Sequence, residues 1–175
     1  EDYQAKVIEI KDLSPTIKGI RLQIDRAMQF QAGQYVNIQL PSIEGTRAFS
    51  IANSPNEEGI VELHIRKVEG GAATTYVHEN LKQGDELDIS GPYGQFFVRK
   101  SDDRGVIFIA GGSGLSSPQS MILDLLEAGE TRNIYLFQGA RDVSELYNRE
   151  IFENLVKEHA NFHYIPALNA PKAED

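Results

Sequence analysis

The chain has 175 residues, of which 41% are hydrophobic and 25% charged; this excludes disordered and fibrous classes and leaves room for one large domain or two small ones. A net charge of −9 and a pI near 4.9 disfavour a nucleic-acid partner, which needs a broad basic face, but leave open a local basic pocket for a small phosphorylated ligand. Cysteine is absent, which rules out disulfides, thiolate-held zinc, a thiol nucleophile and a cysteine-held iron–sulfur cluster within these residues.

The first hundred residues read as short strands. Gln4 to Ile10 is rich in aliphatic and β-branched residues, and Ile20 to Ile24 and Val36 to Leu40 alternate. Ala48 to Ala52 is a further strand candidate. Ile60 to Val68 sets Val61, Leu63 and Ile65 on one face, and Glu86 to Ser90 completes the group. Gly, Pro and Asn punctuate these runs, as in an antiparallel sandwich or barrel. A lone helix is expected at Thr74 to Leu81.

Past Lys100 the pattern changes. Gly105 to Ala110 is a continuous apolar run, as expected of a strand buried on both faces. A glycine-rich loop follows, and Pro118 opens a helix carrying Met121, Ile122, Leu125 and Leu126. Asn133 to Phe137 is a second buried strand. Val143 to Glu158 is a second helix, with a stripe of Leu146, Ile151, Phe152 and Leu155, and Phe162 to Ile165 is a third strand. This βαβαβ order implies a parallel sheet with right-handed crossovers. The boundary between the halves falls near Ser101-Asp102-Asp103-Arg104. The distal part of the second half is expected to lie outside the chain, since three strands are few to cover their helices. No apolar run approaches the length of a membrane span. The start, Glu1-Asp2-Tyr3, has no signal-peptide pattern or initiator Met, so the chain is expected to be an interior piece of a longer one.

Several clusters can carry chemistry. Gly111-Gly112-Ser113-Gly114-Leu115 joins a strand to a helix, where glycines admit a pyrophosphate and the helix start offers free N–H groups; the same residues also suit a plain tight turn. Arg47-Ala48-Phe49-Ser50 combines a guanidinium for phosphate, a ring for stacking and a hydroxyl for a ring nitrogen, or else an exposed Arg beside a core Phe. Gly71-Ala72-Ala73-Thr74 opens the lone helix, either as an anion cradle or with threonine as a helix cap. His64-Ile65-Arg66 ends a strand, Gly91-Pro92-Tyr93-Gly94 is a rigid turn, and Arg141 follows the second parallel strand. His159 and His163 have metal-like spacing, but the helix breaks between them, so no metal site is expected. No hydrolase signature is present; Gly112-Ser113-Gly114 lacks the spacing of a nucleophile elbow.

In this order the motifs resemble the ferredoxin reductase-like flavoprotein superfamily, across nearly the whole chain. Arg47 to Ser50 resembles its Arg-x-Tyr-Ser flavin motif, Gly71 to Thr74 its Gly-x-x-Ser/Thr phosphate motif, and Gly111 to Leu115 its dinucleotide loop. Ala110 to Leu123 is similar to the reductase component of bacterial phenol hydroxylases, multicomponent aromatic monooxygenases. The resemblance implies a six-stranded antiparallel Greek-key barrel with one capping helix, residues 1–101, binding FAD. It implies a truncated βαβαβ domain, residues 102–175, binding NADH. Hydride would pass to FAD and single electrons to a ferredoxin-type [2Fe–2S] domain elsewhere in the full-length chain, then to a di-iron hydroxylase component in the cytoplasm. A stand-alone NAD(P)H–flavin reductase and a non-redox nucleotide-binding module are the rival readings.

By the same resemblance Arg47 contacts the flavin diphosphate, Phe49 lies on the flavin and Ser50 near its N5. His64, Ile65 and Arg66 line the flavin, partly through backbone groups, and Gly71, Ala72, Ala73 and Thr74 hold its phosphates. Gly111, Gly112, Ser113, Gly114 and Leu115 bind the dinucleotide, with Arg141 at its adenosine half; Ser50 and Ser113 are the residues placed at the reacting atoms. Three departures stand out. Phe49 replaces the usual tyrosine, Pro118 comes one residue late, and the family's Cys-Gly-x-Pro segment is not in the chain.

Overall fold

The computed structural model describes residues 1–173. Six strands form one antiparallel sheet: β1 (Asp2–Ser14), β2 (Ile17–Ile24), β3 (Tyr35–Gln39), β4 (Thr46–Ser50), β5 (Ile60–Arg66) and β6 (Glu86–Tyr93). Their order, β4-β3-β6-β1-β2-β5, is that of a Greek key. A bridge between Ile51 and Leu63 joins the two edges and closes the barrel.

Alternation drives this closure. Tyr3, Ala5 and Val7 point inward from β1, and Val36 with Ile38 from β3. Val61, Leu63 and Ile65 do so from β5, and Leu87 with Ile89 from β6; all are buried. Each fully buried aliphatic side chain contributes about 1.5–3 kcal/mol relative to exposure. Helix α1 (Ala72–Glu79) presents Ala73 and Val77 to the same core.

The second half holds a parallel sheet, β7 (Val106–Gly111), β8 (Ile134–Ala140) and β9 (Phe162–Leu168), in that spatial order. Helices α2 (Ser116–Glu127) and α3 (Arg149–Glu158) make the crossovers. Four sequence expectations change here. Strand β7 is not buried on both faces, since Ile107 and Ile109 are 64% and 83% exposed. It is an edge strand, and its outward face is uncovered among the described residues. Helix α2 starts at Ser116, two residues before Pro118, which still occupies the first turn where a missing N–H is tolerated. The second helix is interrupted: a 3-10 turn at Val143–Glu145, capped by Asp142 through the Ser144 amide, precedes a break at residues 146–148. The break resets the helical phase. Phe152 faces the core against Phe162 and Tyr164, while Ile151 is exposed.

The two faces of β7 give a direct contrast. Phe108→Ala is expected to destabilise the chain by about 3–5 kcal/mol, whereas Ile109→Thr should stay within about 0.5 kcal/mol. Chemical denaturation of the two variants measures both. Comparable losses would contradict the outward placement of Ile109.

The turn from α2 to β8 is held by charge. Arg132 donates to the Glu130 carboxylate at 2.7 Å and to the carbonyl of Asp102 in the boundary segment. Hydrogen bonds from Arg132, first through its side chain and then through its amide, lower the Glu130 carboxyl from 4.5 to about 2. A depressed acid stabilises the fold above its unfolded value, and that contribution disappears as pH falls through its folded value. Glu130→Gln should therefore destabilise at pH 7 and lose its effect near pH 2. Unfolding of parent and variant across that range reads the difference.

Candidate functional site

Two clefts meet at the end of β5. The first, of 310 Å³, is lined by Arg47, Ala48, Phe49, Val68, Gly71, Ala72, Ala73 and Thr74. The strand and helix motifs thus converge on one cleft. Helix α1 has Gly71 at its N-cap and no side-chain cap, so its first N–H groups stay open to an anion. Thr74 does not cap them. Its hydroxyl accepts from the Val68 amide at 3.0 Å and donates to the Gly71 carbonyl, folding the loop before the helix. A Cβ on Gly71 would lie 2.8 Å from Thr74 Oγ1 and 3.1 Å from the Val68 oxygen. Glycine is required by close approach there, not by an unusual φ.

Arg47 is exposed at the mouth of this cleft. Its Nη1 donates to the carbonyls of Glu44 and Thr46, which orients the guanidinium and leaves its other donors for phosphate. Phe49 packs partly against the barrel core and still lines the cleft, so it serves both packing and binding. Ser50 pairs with Tyr35 across β3 and β4, and the Tyr35 ring lies 5.6 Å from that of Tyr93. Neither tyrosine was singled out for its ring; an aromatic placed opposite the Ser50 position is the signal that marks Tyr35.

The second cleft, of 480 Å³, opens at the carboxyl ends of the parallel strands, the place where open α/β sheets bind ligands. Gly111, Gly112, Gly139, Ala140, Arg141 and Glu145 line it from the α/β side. Ser14, Thr16, Ile17 and Arg66 line it from the barrel. The first three of these were missed, because nothing local in the sequence marks a strand-to-strand turn as the wall of another domain's cleft. Gly112 has φ +53, which favours glycine. Arg141 makes no ion pair among the described residues, while Asp142 is taken up by Ser144 and Lys172. Two guanidiniums, Arg66 and Arg141, and one carboxylate, Glu145, are the charged groups that line this cleft.

Some expected residues lie elsewhere. Arg66 lines the second cleft, near Gly112. His64 and Ile65 are buried, and the His64 side chain is fully enclosed. Leu115 is buried in the α/β core, so only its backbone is available to a ligand. Gly112 to Leu115 form a 3-10 turn, not an open loop, and Ser113 accepts at its carbonyl from Ser116 Oγ. His159 ends α3 and His163 stacks on Tyr135; no metal-holding group of three or more His, Asp or Glu occurs among the described residues.

The barrel and α/β halves share a polar seam. Gln119 donates to the Ala52 carbonyl at 3.2 Å, and Ser120 to that of Asn53 at 2.7 Å. Glu127 accepts from Ser54 and Asn56. Helix α2 thus turns Gln119 and Ser120 toward the barrel, which explains why these two polar side chains are buried, while buried Ser116 donates to the Ser113 carbonyl.

A six-stranded Greek-key barrel set beside a parallel βαβαβ sheet defines the ferredoxin reductase-like fold. The chain matches the oxidoreductase FAD-binding domain family over residues 4–98 and the oxidoreductase NAD-binding domain family over residues 108–175, and it belongs to these FAD- and NAD-binding oxidoreductases. It is 82% identical over its full length to the phenol hydroxylase P5 protein of Acinetobacter pittii (strain PHEA-2), covering 50% of that protein. It is 65% identical over 97% of its length to the reductase component of phenol 2-monooxygenase from Pseudomonas sp. (strain CF600), covering 48% of it. The crystal structure of the Amycolatopsis reductase GcoB superposes with a TM-score of 0.93 at 30% identity, over 98% of this chain and 53% of that one. The chain spans about half the length of the curated relatives it matches. Among the described residues no helix is long and apolar enough to cross a membrane.

Proposed function

We propose that the chain is the flavin- and dinucleotide-binding part of a reductase that supplies electrons to an aromatic-ring monooxygenase, of the kind that acts on phenol. Residues 1–101 hold FAD and residues 102–175 hold NADH. FAD held there would supply the redox chemistry: it would accept two electrons as a hydride from NADH, leaving NAD⁺, and would return them one at a time, with loss of the proton, to a [2Fe–2S] domain of the full-length chain. From there they pass to a di-iron hydroxylase component in the cytoplasm.

The observation that carries this reading is the meeting of the two clefts. Arg66 lines one and Val68 the other, so the clefts flank the same strand end, within about 7 Å of backbone. A flavin with its phosphates at α1 and a dinucleotide on Gly111 and Gly112 would be directed toward each other. This chain's residues bind, orient and exclude water; the redox chemistry belongs to the cofactors. The Arg47 guanidinium and the α1 N–H groups hold the flavin phosphates, and the Ser50 hydroxyl is the proton-bearing group assigned to the flavin N5. Ser113 and Gly114 stand with Gly111 and Gly112 at the nicotinamide half, and Arg141 at the adenosine half.

The test is anaerobic mixing of the purified full-length protein with NADH. The expected result is an FAD absorbance spectrum that bleaches on mixing, faster with NADH than with NADPH. A protein that takes up no flavin even in excess FAD would overturn the reading.

A further inference from the structure

We propose that the helix break at residues 146–148 is a clasp that sets the α/β half against the flavin strand, with Tyr147 and Asn148 as positioning residues. The purpose assigned to it rests on the function proposed above; the contacts do not. Tyr147 is 3% exposed. Its hydroxyl lies 3.1 Å from His64 Nδ1 on β5, and the two rings meet edge to face with centroids 5.2 Å apart. His64 Nε2 is 2.8 Å from Glu62, which also binds Arg21 at 2.7 Å.

The partners fix the proton positions. Burial raises the Glu62 carboxyl, but the His64 hydrogen bond and the Arg21 charge outweigh it and lower the pKa. Glu62 is therefore an acceptor, His64 carries a proton on Nε2, and His64 Nδ1 shares a hydrogen bond with the Tyr147 hydroxyl. Burial, with the Glu62 charge, pushes the Tyr147 hydroxyl up, so it stays protonated. A phenylalanine would fill the same space. The hydroxyl adds only direction, since a buried polar group is favourable only when bonded.

The next residue grips a second point. Asn148 has φ +57, a left-handed conformation that asparagine adopts more readily than most residues. Its Nδ2 donates to Gln119 Oε1 at 2.7 Å, and Gln119 in turn donates to the Ala52 carbonyl. Ala52 follows Ser50 by two residues, and Gln119 lies one turn beyond the 3-10 turn at Gly112–Leu115. The break itself is pinned to the sheet, because buried Gln138 of β8 donates to the Tyr147 carbonyl at 3.0 Å. One set of hydrogen bonds thus connects helix α2, the parallel sheet, the Ala52 segment that follows β4, and the His64 strand. Displacement of reacting groups by about 1 Å is enough to slow a reaction about a hundredfold.

The test uses the flavin-loaded full-length protein with Tyr147→Phe, which keeps the ring, and Asn148→Gly, which keeps the backbone conformation. Hydrogen exchange is followed at the Ala52 amide and along residues 116–121, and flavin reduction is followed against NADH concentration. Both variants are expected to exchange at least about tenfold faster at these amides. The limiting reduction rate should fall about tenfold while NADH affinity stays within about twofold. Parent-like exchange in both variants would overturn the clasp, as would a loss confined to NADH affinity. A parent that holds no reducible flavin would instead defeat the functional reading, and the exchange measurement would still decide the clasp.

Discussion

Replacing Gly33 with alanine is expected to destabilise the folded chain by about 4 kcal/mol, the largest effect of any single methyl group added to it. Gly33 has φ +105, where an L side chain is strained. Its Cβ would fall 1.9 Å from the Phe96 carbonyl oxygen and 2.3 Å from Met121 Cε. Met121 could turn aside, but the Phe96 backbone cannot retreat without dragging the segment that leaves the barrel. Overpacking costs about 1–3 kcal/mol and backbone strain about 1–3 kcal/mol more. Urea unfolding of the variant measures the sum. Gly59→Ala is the comparison: its φ is +73, but nothing lies within 4 Å of its Cβ, so it should lose only the conformational part, about 1 kcal/mol. Equal losses at the two sites would refute the steric account.

Gly71→Val is expected to abolish flavin retention by displacing the Val68–Thr74 loop while leaving the barrel core folded. The backbone at Gly71 is ordinary, with φ −79, so valine meets no conformational barrier there. Its side chain would press on Thr74 Oγ1 and the Val68 carbonyl and fill the cradle over the α1 N–H groups. Arg47→Ala removes a charge-assisted hydrogen bond worth about 1.5–3 kcal/mol, so flavin affinity should fall about tenfold to a hundredfold. Arg47→Lys should recover part of that, since an ammonium supplies charge without the planar fork. Titration with FAD, followed by flavin fluorescence, separates the three variants, and circular dichroism checks the fold. Retention of flavin by Gly71→Val at parental affinity would remove the phosphates from this cleft.

Most of the barrel could be read directly. The period-two pattern of β2, β3 and β5 matches the faces they bury, because one side of a barrel strand meets a core and the other meets water. The βαβαβ order was equally legible, since a parallel pair needs a crossover. Helix Val143 to Glu158 misled for a definite reason. Leu146, Ile151, Phe152 and Leu155 have helical spacing, but Tyr147 and Asn148 find hydrogen-bond partners on distant elements, and the chain breaks to reach them. The face of β7 misled for another. An apolar run reports what a strand is able to bury, not what covers it, so Ile107 and Ile109 could not be placed from their own neighbourhood.

The site divides in the same way. Arg47 to Ser50, Gly71 to Thr74 and Gly111 to Gly112 could be singled out as candidates because phosphate and close backbone approach demand particular residues at short spacing, and the fold sets them along two clefts. Their convergence was not legible, nor was the place of Arg66 in the cleft beside Gly111 and Gly112. His64 shows the difference most clearly. On its own strand it was a candidate cofactor contact; in the fold it is an enclosed link between Glu62 and Tyr147. Local composition determined the strands, the cradle and the glycine turn, since each depends on backbone freedom, side-chain period or charge within a few residues. Which groups face one another across the seam depended on packing two halves together, where burial forces every polar group to find a partner that no local pattern names.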